Sequence, residues 1–257
     1  NWQSNGPIAY NTAKACFKEM TVPEAVSITS AFQETMLAAK PAGEMESCSV
    51  LQTDDAFWKV FEFDFVSGKP YDNADFDAGA AKAVISEDMA RRLFGTSEVV
   101  GKTFLLNHTA YLISGVVRSV SRLARYAYAQ VWIPLSSTDA FTTAWGDEKI
   151  MGIVAVFILA KSKEDFPAIH NEADRLKAVF MAGHPNFDLL YRGQPDTYFV
   201  AAQRYSANNP PAVKEAVRQY ILTLLVLLIV PAVNLSGLTL SRMRKRLSEI
   251  GVRKAFG

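Results

Sequence analysis

Gly95 and Gly101-Lys102-Thr103 are the residues that most resemble a chemical motif. A phosphate-binding loop places four residues between its glycines, so that successive N–H groups wrap the phosphates. Here five intervene, and the surrounding pattern predicts a helix before the motif and a strand after it, the reverse of what a phosphate cradle needs. Capping of the preceding helix accounts for Gly95. The three histidines, His108, His170 and His184, fall in a predicted turn, a helix and a loop without ligand spacing, so no metal site is expected. Asp72, Asp75, Asp77 and Gly79 have part of a calcium-loop spacing but lack a closing bidentate Glu, and a solvated acidic turn is the simpler reading. No nucleophile, base and orienting group come together in the pattern, so neither an enzyme nor a bound cofactor is expected.

Cys16 and Cys48 are the two cysteines, on a predicted helix and a predicted strand. An oxidising compartment permits a bridge between them; two separate buried thiols are the alternative.

The elements that must position these residues are mixed. Residues 7–20 predict a helix, 26–32 and 47–53 strands, and Asp55 the cap of a short helix through Phe61. Within 81–117, AKAVIS predicts a strand and Ser86 an N-cap, with Glu87 and Asp88 in the first turn, Arg91 and Arg92 in the last, and Gly95 beyond it. TFLL and YLISGVV flank Asn107-His108-Thr109 as a hairpin. Strands follow at 131–135 and 152–160, then an amphipathic helix over 164–181, then two strands near 187–192 and 197–203. Strands and helices without strict alternation indicate an α+β fold. Residues 51–149 are expected to form an insertion between flanking pieces 1–50 and 150–209.

With 257 residues, 49% hydrophobic and 21% charged, the chain has the composition of a folded protein. Its net charge of +1 hides an asymmetry. Beyond Leu240, Arg242, Arg244, Lys245, Arg246, Arg253 and Lys254 face one acid, Glu249, a balance of +5; the preceding residues carry 21 basic and 25 acidic side chains, a balance of −4. Just before the basic end, YILTLLVLLIVPAVNLSGLTL (220–240) has no charge. As a helix it would span roughly 30 Å, the thickness of a bilayer core. The RMRKR that follows assigns residues 1–219 to the outside and the end to the cytoplasm. Asn209 is the expected N-cap of this helix, with Pro210 at its first position. Asn234, Ser236 and Gly237 suit contact with another helix better than lipid. Asn1 opens without an initiator Met and Gly257 falls within a helical pattern, so flanking segments are expected.

The closing residues Glu249, Ile250, Gly251, Val252, Arg253, Lys254, Ala255, Phe256 and Gly257 resemble the segment after the second transmembrane helix of MacB/FtsX-type ABC transporter permeases. TDDAFWKVFEFDFVSGKPY, AKAVISEDMARRLFG, GKTF, YLISGVV and VWIPL resemble the MacB-type periplasmic core domain. The resemblance implies a porter-like periplasmic α/β part with an inserted subdomain, a bacterial inner-membrane location and efflux or envelope mechanotransmission. It implies as partners an ABC-type ATPase that carries out the ATP hydrolysis, a second permease copy and, in some members, a periplasmic adaptor protein. Glu249, Ile250, Gly251, Arg253, Lys254 and Gly257 would couple to the ATPase. Arg242, Arg244, Lys245 and Arg246 would flank the membrane and attract lipid headgroups. No nucleic-acid partner is implied. The alternative is a membrane-bound sensor with a periplasmic ligand-binding domain, which would continue into a signalling domain rather than further apolar spans. A membrane-anchored periplasmic enzyme is disfavoured by the missing catalytic set.

Overall fold

A computed structural model describes residues 5–41, 43–206 and 209–257. They divide into two compact units, one ending at Tyr191 and the other beginning at Arg192.

The first unit is α+β. Nine strands form it: β1 (Ala25–Ser30), β2 (Glu34–Ala39), β3 (Glu46–Thr53), β4 (Phe65–Gly68), β5 (Lys82–Ser86), β6 (Thr103–Leu106), β7 (Thr109–Val117), β8 (Val131–Pro134) and β9 (Val154–Leu159). Its helices are α1 (Tyr10–Ala13, continuing as a wider turn through Lys18), α2 (Phe57–Val60), α3 (Asn73–Asp77), α4 (Glu87–Phe94) and α5 (Phe166–Ala182). Strand β2 pairs with both β3 and β6. Continuing through β6–β7, β7–β5, β5–β8 and β8–β3, the ladders return to their start, so six strands close into a ring. Closure removes the edges that an open sheet would expose.

Period-2 patterning fills the ring. Cys48 and Val50, Ala83 and Ile85, Phe104 and Leu106, Tyr111 and Ile113, and Val131 and Ile133 form one buried cluster, joined by Met89, Ala90 and Leu93 of α4. Residues of the opposite parity, Leu51, Val84 and Trp132, face a second cluster with Phe57, Tyr71 and Trp58. Beside the ring, β1 pairs antiparallel with β9 along six residues and touches β3 at Thr29. Cys16 and Phe17 from the turn after α1, and Ile169, Ala173 and Leu176 from α5, share a cluster with Val26 of β1.

Local signals explain several elements. The Ser86 hydroxyl accepts from the Met89 N–H, and Gly95 closes α4 at φ 75°. Asn107 and His108 take φ 46° and 70°, the paired left-handed conformations that a two-residue hairpin turn requires. Asp55 does not cap α2, whose N-cap is Ala56 without a side-chain bond; the Asp54 carboxylate instead accepts from the Phe57 N–H at 3.1 Å. Strand β2 was not expected; only its last two residues are buried, so it lacks the alternation that marks a strand. The strands expected at 187–192 and 197–203 are absent. The first stretch is irregular, with Leu189 and Tyr191 packed singly against the α5 cluster. The second contains α6 (Tyr198–Ala202), where the Thr197 hydroxyl accepts from the Val200 N–H.

Two buried carboxylates tie elements together. Asp54 accepts from the Ser27 hydroxyl and the Ile28 N–H, and pairs with Lys18 at 2.6 Å. Glu172 of α5 accepts from the N–H groups of Thr21 and Val22 and from the Thr21 hydroxyl, all within 3.1 Å. It thus holds α5 to the chain leaving α1.

The second unit contains α6 and α7 (Val213–Phe256), a helix of 44 residues. Before α7, Arg204 makes a bidentate pair with Asp196 at 2.6 and 2.8 Å and also donates to the carbonyls of Asn209 and Arg192. Both members of that ion pair are buried, so the guanidinium is the organising centre of the connecting segment.

Candidate functional site

The motifs with enzyme-like spacing are occupied by structural duties. The Gly95–Thr103 stretch runs from α4 into β6, and the Lys102 ammonium lies 5.5 Å over the Phe94 ring. Asp72 and Asp75 form a reciprocal capping box on α3, and Asp75 is paired with Lys82 at 2.5 Å. The Lys82 hydrogen bond holds the Asp75 carboxyl below the ordinary carboxylate range. His184 stacks on Phe180 with ring centroids 4.1 Å apart, far along the chain from His108 in its turn and apart from His170 on α5. Among the described residues no group of three metal-type ligands gathers.

The cysteine bridge permitted by the sequence is not formed. Cys16 and Cys48 are free and belong to different clusters. Burial pushes both thiols up, Cys48 to about 11, so neither is a ready nucleophile.

What remains is α7. At 1.5 Å per residue it is roughly 66 Å long. Residues Val213–Arg244 are long and apolar enough to cross a membrane, and no part of the most apolar window is buried. Leu222, Leu227 and Leu235 are each more than 60% exposed, a cost no water-soluble helix sustains on every face. Two hydroxyls of this stretch bond back to the helix: that of Ser236 donates to the Ala232 carbonyl and that of Thr239 to the Leu235 carbonyl, both at 2.8 Å.

The helix begins at Val213, not at the expected Pro210. Pro211 follows Pro210, and a residue before proline is driven out of the helical region, so the first proline cannot start the helix. Asn209 accordingly does not cap it; its side-chain oxygen accepts from the Ser206 hydroxyl at 2.8 Å.

Beyond the apolar stretch α7 continues without a break through Phe256. Arg242, Arg244, Arg246, Arg253 and Lys254 lie on this exposed helix. The side chains of Lys245 and Glu249 fall outside the described ones. Helical spacing puts Arg242, Arg246 and Arg253 in one stripe, and Met243, Leu247 and Ile250 in a neighbouring stripe at i, i+4, i+7. Leu247 and Ile250 are 67% and 56% exposed. Met243 is 59% exposed as well, so an uncovered apolar stripe runs beside a cationic one.

The sequence pattern of the MacB-like periplasmic core domain matches residues 2–176. The chain belongs to this family. Among its relatives, the uncharacterized ABC transporter permease YknZ of Bacillus subtilis (strain 168) is 22% identical over 231 residues, covering 90% of this chain and 54% of the relative. The macrolide export ATP-binding/permease protein MacB of Pasteurella multocida (strain Pm70) is 22% identical over 213 residues, 82% of this chain and 30% of that protein. This chain therefore spans about half, or less, of the relatives' length. Two solved structures share the fold of the family. The extracellular domain of YknZ, a noncanonic ABC-type transporter from Gram-positive bacteria, superposes with a TM-score of 0.51 at 18% identity, over 67% of this chain and 83% of that one. The periplasmic region of MacB from Actinobacillus actinomycetemcomitans gives 0.51 at 14% identity, over 72% and 78%.

Proposed function

We propose that the chain is the periplasmic core, a transmembrane helix and the cytoplasmic coupling segment of an ABC transporter permease of MacB/YknZ type. The observation that carries this reading is the conjunction of a MacB-like core over residues 2–176 with an unburied apolar helix that continues into an exposed basic end. The soluble residues lie in the periplasm, with residues 1–50 and 150–209 as a porter-like part and residues 51–149 as its insertion, the former also contributing β2 and most of β3 to the ring. Helix α7 crosses the inner membrane with its Arg-rich end in the cytoplasm, the orientation the positive-inside rule favours.

In this reading the chain does no chemistry of its own. ATP is hydrolysed by a partner ATPase that docks on Ile250, Gly251, Arg253 and Lys254, with Glu249 and Gly257 in the same segment. Closure of two ATPases on two permease copies moves the helices, and differential contact at the docking helix biases which arrangement of the periplasmic domains is populated. Work done in the cytoplasm is thereby felt outside, for efflux or for another envelope task, with a periplasmic adaptor as a further partner. Arg242, Arg244, Lys245 and Arg246 sit at headgroup level, each contributing roughly 1 kcal/mol of attraction to anionic lipid.

The experiment is co-purification of the full-length permease with its cognate ATPase from detergent, comparing wild type with Arg253→Glu/Lys254→Glu. The expected result is an ATPase retained by wild type and lost by the variant at equal permease yield. An ATPase that binds neither, or both equally, removes the coupling role from this segment.

A further inference from the structure

From Val99 to Thr138 the chain contains no Asp or Glu but carries Lys102, Arg118, Arg122 and Arg125, within a body of acidic balance. Of these four cations only Arg118 has a carboxylate partner among the described residues. Lys102 lies over Phe94, and Arg118 pairs with Asp64 at 2.9 Å. Arg122 and Arg125 have no carboxylate within ion-pair distance among the described residues, and both are exposed.

Both lie on the connection between β7 and β8, which is held rather than loose. The Ala127 and Tyr128 N–H groups donate to the Ala124 carbonyl, and the Trp132 indole donates to the Ala127 carbonyl at 3.2 Å. Gln33 reaches across from the β1–β2 turn, and its amide donates to the carbonyls of Arg125 (3.2 Å) and Tyr128 (2.6 Å). The guanidiniums are themselves placed by aromatic faces, Arg122 5.9 Å from the Tyr128 ring centroid and Arg125 5.7 Å from that of Tyr126. Arg122 Nε donates to the Tyr128 hydroxyl at 3.2 Å, leaving its outer N–H groups and the phenolic proton unspent.

Gln33, Ser49, Arg122, Arg125, Tyr128 and Gln130 line a single shallow hollow. The Gln130 side-chain oxygen accepts from the Ser49 N–H at 3.1 Å, which turns its amide nitrogen free of that bond. The Ser49 hydroxyl donates to the Gln33 side-chain oxygen, so the two best acceptors of the floor are already filled from within. The rim therefore offers donors: two guanidinium forks, a phenol and a primary amide. Such a set recognises an oxyanion, because planar guanidinium forks match the paired oxygens of a carboxylate or phosphate.

We propose that this hollow binds a small carboxylate- or phosphate-bearing ligand through Arg122 and Arg125, with Tyr128 and Gln130 as orienting donors. The site lies wholly within the first unit and stands whether or not α7 docks an ATPase.

Titration calorimetry on the full chain in neutral detergent tests it, with sodium phosphate and, separately, sodium succinate as probes at ionic strength held constant with sodium chloride. Saturable binding of at least one probe by wild type is expected. Binding of phosphate alone or succinate alone assigns the ligand class; binding of both assigns the shared oxyanion chemistry. Arg122→Gln/Arg125→Gln should weaken the bound probe at least tenfold with an unchanged melting temperature, while Arg118→Gln should bind as wild type. The single variants, each with a smaller loss, serve if the pair perturbs folding. The proposal is overturned by the absence of saturable heat with either probe, by undiminished binding in the double variant, or by an equal loss in Arg118→Gln, which would make the effect one of general charge.

Discussion

Asp54 is where the ring, β1 and the turn after α1 meet, and its protonation is opposed by its own surroundings. Burial pushes its carboxyl above the usual carboxylate range, while Lys18 and the Ile28 and Ser27 hydrogen bonds draw it back. Removing the lysine should let burial dominate. Lys18→Met is expected to cost about 3–5 kcal/mol at pH 7, the penalty for stranding a buried charge. The loss should shrink at pH 4, where Asp54 takes up a proton and the stranded charge disappears; urea denaturation in detergent at the two pH values reads the difference. Glu172 has the opposite sign. Desolvation is the largest influence on it and raises it, yet the Thr21 and Val22 N–H groups, the Thr21 hydroxyl and Arg175 together hold it below the ordinary value. A carboxyl with a lowered folded value stabilises above its unfolded pKa of ~4.3, and that contribution disappears as pH falls through the folded value. Glu172→Gln should therefore cost roughly 1–3 kcal/mol near neutrality, from weakened charge-assisted bonds to the Thr21 and Val22 N–H groups. The gap to wild type should close below about pH 4.

At the scale of elements, α7 obeys the solvent it is built for. The length and lack of charge of its 220–240 run are plain in the sequence, because a bilayer demands an uninterrupted apolar run and tolerates little else. A single cation at mid-span tests the assignment. Val230→Lys should reduce membrane insertion by about 2.5–3.5 kcal/mol on an apparent insertion scale, measured by glycosylation mapping in microsomes. No penalty would mean that α7 does not cross. Among the shorter helices, α4 depends on its terminal signals. Gly95 is left-handed with open space around the position of a Cβ, so Gly95→Ala meets no clash and pays only the conformational cost, about 1 kcal/mol. Thermal melting reads it as a fall of a few degrees without loss of fold.

For the whole molecule, the proposed orientation makes a direct expectation. The native thiols are buried, so single cysteines placed on exposed residues report sidedness against a silent background. Leu123→Cys, at an 89% exposed position, should react with an impermeant maleimide in intact spheroplasts; Phe256→Cys, at a 90% exposed one, should react only after permeabilisation. The reverse pattern would invert the topology. Labelling of both from outside would take α7 out of the membrane.

Local physics wrote much of the molecule into the chain. Ser86 with its acidic first turn, Gly95 beyond the last, Asn107-His108 between two apolar alternations and the uncharged 220–240 run each state a preference that needs no distant partner. The order of residues 249–257 and the strings within 51–135 carried the family, which the match over residues 2–176 established. The misreadings share a cause. Residues 187–192 place apolar side chains at alternate positions and 198–202 form a short apolar run, but among the described residues no strand offers either a ladder, and pattern alone does not supply hydrogen bonds. Strand β2 is the converse: its sequence is weak, and two flanking strands make it one. Ring closure, the separate burial of the two thiols and the convergence of Gln33, Ser49 and Gln130 beneath Arg122 and Arg125 depend on residues far apart in sequence. Propensity and patterning act over a few residues, whereas these features exist only once long-range pairing brings the segments together, and that was decided by the tertiary structure alone.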